Sequence, residues 1–561
     1  MSQVVDVAQP PRDGPVGEAT VEERRVTAGP PGDPASEGRS EAVAGRRRRG
    51  GSAGGRRPEV MAILPPLLLA VMLAMLDNVI VGTAMPRIVG ELGGLAHLSW
   101  VVTAYVLGTT VSTPIWGKLG DLYGRKHIFL ASIVLFLAGS ALCGAAQTMG
   151  QLIGFRALQG LGAGGLLVGA MAIVGDLVPP RERGRYQGMV AGVMALSMVA
   201  GPLVGGFVTD HLSWRWAFYV NIPIGAVTLI WLAARLRLPK RRTDHDIDGN
   251  RIDWLGAALL TVGITALVLV TTWGGVEYAW GSWQILGLAG LAVATLVAFG
   301  FFERRVAEPV LPLDLFRDRN FTVVSGISFL LGFAMFGAIT FLPLFQQTVQ
   351  GASATNSGLL LLPMMAAMLV VSVVAGQVIT RTGRYKVFPI LGGVGMAVAM
   401  ILLSFVDVGT TRTQLALFMV ALGVGMGCLM QTTMLIAQNS AAQKDLGVAS
   451  STSTLFRSIG GSFGVALFGT IFARHFESSV AQSLGPEAAA QLARGGGQVD
   501  PQVVAELPDP VRFAIFDGIA SSMATVFTWA IPFAALVAVL AFFLREVALR
   551  GHDDLVVVDA A

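Results

Sequence analysis

Fourteen stretches of this chain, each of about 20 residues or more, are almost wholly apolar, and nothing else in the sequence restricts the fold as tightly. As a helix rising ~1.5 Å per residue, a run of that length matches the ~30 Å hydrocarbon core of a bilayer. The first run spans 61 to 85 and the last 520 to 545. Charged residues make up 14% of the 561, against roughly 25% in a soluble protein, so too little polar surface exists to cover these runs in water. The expected fold class is an all-α polytopic membrane protein with fourteen transmembrane helices. The 69 glycines suit it, because helices in lipid approach closely where side chains are small.

The formal net charge of +4 does not point to nucleic acid, because the basic residues outside the N-terminal tail sit in short loops between runs, where they set orientation. With the N-terminus inside, 22 Arg and Lys fall on the inner side and six on the outer, so both termini are expected in the cytoplasm. Residues 1–58, with RRRR at 46–49 and no aliphatic run, read as a disordered basic tail. Residues 59–240 then hold six runs, 241–318 two more with their linkers, and 319–550 a further six with an outer loop at 474–512. Residues 551–561 form a second tail.

The two sets of six are related. GKLGDLYGRKHIF at 117–129 returns as GQVITRTGRYKVF at 376–388, matching Gly117, Gly124, Arg125 and Phe129 to Gly376, Gly383, Arg384 and Phe388. The same offset of 259 carries Gly201 onto Gly460 and Gly205 onto Gly464. Parallel repeats of this kind in a membrane protein predict two helical bundles with a substrate path between them.

Asp77, in LAMLDNVIVGTAMP, is the acid set deepest in an apolar run, about 24 Å along the first span. An ionised acid there is costly, so it should be neutral or paired. Arg156, in FRALQGLGAGG on the fourth span, falls at a similar depth. The two can form a static buried ion pair, or a pair that small rearrangements switch between loaded and empty with a proton. In the repeated turn, Gly117, Gly120 and Gly124 allow a tight loop, and Asp121, Arg125 and Lys126 can form ion pairs at the inner surface, with Asp176 and Arg181 as further partners. On the fifth span, Ser197, Gly201, Gly205 and Gly206 line one face with small groups, and Pro202 removes a backbone donor, allowing a bend or simply close packing.

Absent motifs narrow the function. No G-x-x-x-x-G-K-[ST] loop is present, so ATP is not an evident energy source, and no H-x-x-x-H pair suggests a catalytic metal. No nucleophile has a defensible base partner, so neither an enzyme nor a cofactor is expected. Cys143 and Cys428 lie in separate apolar runs and read as small apolar residues.

GKLGDLYGRKHIF resembles the signature loop of the major facilitator superfamily, and LDNVIVGTAMPRI resembles the first-span motif of its fourteen-span drug:proton antiporters. RALQG is similar to the family's fourth-span arginine motif, AGPLVGG to its fifth-span antiporter motif, and SWRWAFYVNIPIG to a stretch typical of the fourteen-span branch. The likeness covers about residues 61 to 545. It implies the major facilitator fold, two six-helix bundles plus two extra central spans. It also implies multidrug efflux from a plasma membrane: organic, often cationic or amphipathic compounds exchanged for protons by alternating access, with the chain as a monomer. By position, Asp77 would be the proton site and Arg156 its coupling partner. Gly117, Asp121, Gly124, Arg125, Lys126 and Asp176 would form the cytoplasmic gate, and Gly201, Pro202, Gly205 and Gly206 the bend of exporters. Two departures stand out: Ser197 replaces the usual first glycine of the fifth-span motif, and Thr380 stands opposite Asp121 in the second copy, so only the first copy should carry the full charge network. The second half has mid-span glutamines but no clear mid-span acid, leaving a neutral or anionic natural product as plausible as a cationic dye. Uptake by proton symport, a polytopic membrane enzyme and a lipid exporter remain as alternatives.

Overall fold

The computed structural model describes residues 56–92, 98–178, 180–236, 238, 253–275, 277–306, 308–352, 354–485 and 507–549, and each apolar run falls on a helix. In chain order these are α1 (Arg56–Leu92), α2 (Leu98–Tyr123), α3 (Arg125–Ala145), α4 (Met149–Leu177), α5 (Pro180–His211), α6 (Asn221–Arg235), α7 (Trp254–Trp273) and α8 (Trp283–Glu303). They continue with α9 (Arg319–Thr348), α10 (Leu362–Thr382), α11 (Val387–Leu403), α12 (Arg412–Ser440), α13 (Leu446–Leu484) and α14 (Asp509–Phe542). A single turn, Trp216–Tyr219, leads into α6, and a short helix, Ala354–Leu360, into α10. Among the described residues, eleven spans are long and apolar enough to cross a membrane. The other three runs lie on α2, with Thr109, Thr110, Ser112, Thr113 and Pro114 in its middle, on α5, with charges in its first turns, and on the 17-residue α11.

Helices begin where a polar side chain outside the apolar run can take an unpaired backbone N–H. Thr148 accepts from Gln151 N at 3.2 Å to start α4, Asp253 from Gly256 N at 2.7 Å to start α7, and Asp318 from Phe321 N at 2.8 Å to start α9. Thr411 and Gln414 form a reciprocal capping box on α12.

Two stretches differ from their sequence reading. Residues 117–123 are the last turns of α2 rather than a loop, and the reversal into α3 rests on Gly124 alone, at φ 92°. Its repeat partner Gly383 ends α10 at φ 73°. The stretch read as outer loop from 474 stays helical to Leu484, because its Ala, Glu, Gln and Ser residues continue α13 until Gly485 turns away at φ 90°. The two tails and 486–506 of that loop lie outside the described residues, apart from the start of α1.

The positive φ at Gly124 yields a first prediction. A Cβ there has open space, so Gly124→Ala is opposed by backbone strain alone, about 1–3 kcal/mol. The thermal midpoint of the detergent-solubilised protein should drop by a few degrees, and an unchanged midpoint would show that the reversal tolerates a side chain.

The repeat is visible in packing. Gly201 on α5 faces Val79 on α1, and its counterpart Gly460 on α13 faces the Phe329 backbone on α9, so in each half the fifth helix meets the first at a glycine. One buried core joins α1, α3 and α4 through Leu67, Val71, Phe129, Phe136 and Leu166, and another joins α9–α14. The halves meet along two seams. On one, Gly184, Gly188 and Gly192 of α5 lie against Gly376, Ser372 and Leu369 of α10; on the other, α2 meets α13, with Gly117 against Ser451. Helix α7 packs on both α2 and α13, and α8 packs on α7 with Trp283, Val293 and Phe301 turned outward.

Candidate functional site

The carboxylate of Asp77 is fully buried on α1, and Arg156 on α4 is fully buried beside it. Arg156 Nη1 donates to Asp77 Oδ2 at 2.5 Å. Gln159 Nε2, one turn along α4, donates to Asp77 Oδ1 at 2.8 Å, and Asn221 Nδ2 at the start of α6 donates to the same oxygen at 2.7 Å. Arg156 also reaches Gln159 Oε1 at 2.8 Å and Val101 O at 3.4 Å, and its guanidinium lies 4.0 Å over the Tyr105 ring. Tyr105 in turn donates to Ala74 O at 2.9 Å, one turn before Asp77. Asn221 is steadied by Ser140 Oγ at 3.0 Å, and Ser140 donates to Phe218 O at 2.8 Å. Helices α1, α2, α3, α4 and α6 therefore converge on one carboxylate.

Such a cluster survives in a low-dielectric interior only because nearly every member is paired. Arg156 Nη2 and Asn221 Oδ1 are the exceptions in the cluster, a donor and an acceptor held in reserve. The SWRWAFYVNIPIG stretch closes the cluster from the far end. Trp214 Nε1 and Arg215 Nη1 donate to Glu91 at 2.7 and 2.5 Å, and Arg215 Nη2 reaches Ala146 O at 3.0 Å, which sets Phe218 and Asn221 in place. The Trp214 indole first, with the Arg215 guanidinium adding to it, holds the Glu91 carboxyl below the usual range.

A second constellation lies where α2 turns into α3. Arg125 pairs with Asp121 through Nη2 at 2.6 Å and with Asp176, at the end of α4, through Nη1 at 2.7 Å. It also donates to Ala172 O at 2.7 Å. Asp121 crosses to the other half, accepting from Gly447 N at 3.2 Å and Val448 N at 3.0 Å, in the first turn of α13. A carboxylate there meets unpaired N–H groups and the positive end of the helix dipole. Beside it the halves are joined by neutral amides: Gln431 donates to Gly184 O at 2.5 Å and Gln187 to Gln438 at 3.2 Å. Gln438 also donates to Ser450 Oγ at 2.9 Å. Lys118 pairs with Glu308, in the linker before α9, at 2.6 Å.

The Major Facilitator Superfamily pattern matches residues 67–465, nearly the whole of both constellations and the helices that carry them. The chain belongs to the major facilitator superfamily. It is a membrane transporter and not an enzyme. This major facilitator protein is 37% identical to the multidrug transporter protein MdtP of Bacillus subtilis, over 86% of this chain and 93% of that one. It is 36% identical to multidrug resistance protein 3 of the same organism, over 87% and 96%. A Mycobacterium tuberculosis protein described as an uncharacterised transporter of the same superfamily is 43% identical over 87% of this chain and 70% of its own. Among solved structures, the human organic anion transporter MFSD10 superposes with a TM-score of 0.58 at 12% identity, covering 85% of this chain and 99% of that one. The proton:xylose symporter XylE gives 0.54 at 14%, covering 84% and 95%. At those identities the two structures speak for the fold.

Of the residues singled out in the sequence, the major facilitator fold brings Asp77 to Arg156, and Arg125 to Asp121 and Asp176. Lys126 stands apart, donating to Ala233 O at 2.8 Å on the exterior. The Arg181 and Pro202 side chains lie outside the described ones. Arg183, not singled out in the sequence, holds the end of α4 by donating to Gly175 O at 2.5 Å and Val178 O at 3.0 Å. On α5, Gly201 is pressed against Val79 while Gly206 faces open space, and the helix runs on through Pro202.

Gln159 and Asn221 lie inside RALQG and the branch-typical stretch without the sequence assigning either a role, and Ser140 and Tyr105 carry no motif. Asn221→Ala should cost about 1–3 kcal/mol, because Asp77 loses a donor inside an apolar interior. Transport should fall about tenfold with expression retained, and substrate uptake into vesicles checks it; a rate within twofold of native would show that Asn221 is dispensable.

Proposed function

We propose that this transporter is a proton-coupled exporter of small organic, amphipathic compounds, working by alternating access as a monomer in the plasma membrane with both termini in the cytoplasm. The observation that carries the reading is Asp77, one fully buried carboxylate shared by Arg156, Gln159 and Asn221. A proton on Asp77 cancels its charge and frees Arg156, whose remaining contacts at Gln159 and Val101 can then be exchanged. Because five helices meet at that carboxylate, its protonation state bears on how the first bundle packs as a whole.

The Arg125, Asp121 and Asp176 cluster serves as the gate on the cytoplasmic side, where the basic loops lie. Asp121 binds the second half only while α13 presents Gly447 and Val448 to it, so separation of the bundles there breaks the contact. Fourteen crossings, arranged as six, two and six, account for both termini lying on one side. The names of the Bacillus subtilis relatives, a multidrug transporter and a multidrug resistance protein, favour export of drugs over uptake of a nutrient. At an assumed potential near 150 mV, one proton supplies ~3.5 kcal/mol, several hundredfold in gradient for a neutral substrate.

The test uses energised inside-out vesicles containing the native protein. Addition of a transported amphiphile should release luminal protons, and it should do so only with the protein present. Uptake of the compound without proton movement would remove the coupling from this reading and leave the transporter.

A further inference from the structure

Between the two halves, above the amide contacts of the gate, lies a narrow pocket lined by Leu167, Met171, Val190, Met194, Met430 and Met434, together with Gln187, Gln431 and Arg457. Arg457 sits on α13 about eleven residues, or ~16 Å, from the gate end of that helix. It is 7% exposed. Among the described residues its guanidinium makes no hydrogen bond and no ion pair, and no acid lines the cavity with it. Among the other buried arginines, Arg156 and Arg125 hold carboxylates and Arg183 donates to two backbone carbonyls, so each has acceptors that Arg457 lacks.

A buried guanidinium with no counter-ion is a costly group to keep, since desolvation is repaid only by a partner of opposite charge. Its position in a cavity between the moving halves provides for a partner that arrives and leaves. We propose that Arg457 is the anion-recognising residue of the substrate site, and that this protein's substrates are amphipathic organic acids carrying a carboxylate, sulfonate or acidic phenol. This rests on the reading of the chain as an exporter and narrows its substrate class.

The rest of the cavity fits that chemistry. Four methionines supply a polarizable, adaptable apolar surface that accepts ring systems of differing shape. Gln187 and Gln431 donate to Gln438 and to Gly184 O, and their Oε1 atoms have no partner, leaving acceptors for a ligand hydroxyl or N–H. A planar guanidinium offers two parallel N–H groups to a carboxylate, which a lysine could not match. The same unpaired charge repels a lipophilic cation entering the cavity.

Fluorescein and rhodamine 6G share a xanthene ring system and carry opposite charge at neutral pH, so they isolate the electrostatic choice. Binding of each to the purified full-length protein in detergent is read by fluorescence anisotropy, with no gradient present. The native protein should bind fluorescein at least tenfold more tightly than rhodamine 6G. Arg457→Gln should lose that preference, and Arg457→Lys should keep part of it, with monodispersity confirming that each variant is folded. A native protein that binds both dyes equally, binds neither or prefers rhodamine 6G overturns the proposal without recourse to any variant. So does a folded Arg457→Gln protein that keeps the native preference. Because no proton gradient enters this measurement, failure of proton coupling would leave its result standing, and failure here would leave coupled export intact.

Discussion

Asp77→Asn is expected to leave a protein that reaches the membrane but whose substrate-evoked proton release falls to that of empty vesicles. The amide keeps the size of the carboxyl and one acceptor oxygen, but it cannot take up and give back a proton. It also strips Arg156 of the one counter-ion it has among the described residues, in a site with no solvent exposure. Removing one member of a buried pair costs about 3–5 kcal/mol, so the variant should unfold at a markedly lower temperature. Stability and coupling can be separated with the double variant Asp77→Asn/Arg156→Gln, which removes the orphaned charge. It should recover most of the lost stability and none of the proton release. Proton release at the native rate from either variant would place the coupling group elsewhere.

The second large effect is expected at the gate. In Arg125→Leu, Asp121 and Asp176, 5% and 8% exposed, lose the guanidinium that neutralises both. Two carboxylates deprived of that shared guanidinium in a closed seam favour any arrangement that lets more water reach them. About 3 kcal/mol of that preference corresponds to a roughly hundredfold shift toward an open gate end. Ser451→Cys reports on it, since Ser451 is fully buried against Gly117 when the seam is shut. Its reaction with a charged maleimide should be slow in the otherwise native chain and about a hundredfold faster with Arg125→Leu. Cys143 and Cys428 are both buried, so the background is low. If the reporter stays protected in the variant and transport continues, the cluster is not what holds the seam.

The sequence was most legible where a residue contradicted its surroundings. Asp77 and Arg156 are charges in apolar runs, and their depth could be counted from the helix rise alone, so their meeting was foreseeable. Gln159 and Asn221 are neutral and common in such runs; which way they face depends on helix rotation, which no single run fixes. Arg457 escaped notice because it follows the polar stretch Ser450, Ser451, Thr452, Ser453 and Thr454, so it looks like part of a helix end. Its isolation from every described acid is a tertiary fact. The charges of the gate could be read, but the crossing of Asp121 to the first turn of α13 joins residues 326 positions apart and needed the fold. The extension of α13 to Leu484 was lost to hydropathy, which sees where an apolar run stops and not where helical hydrogen bonding does.

The two seams between the halves are not alike. Along α2 and α13 the contact includes an ionised group, Asp121 on α13 backbone, with α7 lying across both helices. Along α5 it is made of glycines against α10 and neutral amides against α12. Neutral hydrogen bonds contribute about 0.5–1.5 kcal/mol each and those to a charged group about 1.5–3, so the first edge resists parting more than the second. Under the proposed alternating access, the first edge would serve as a lock and the second as a hinge. The bundles would swing about the smooth glycine edge, and the α7–α8 pair, fixed over the lock, would have to let go of one leaf each time it opens.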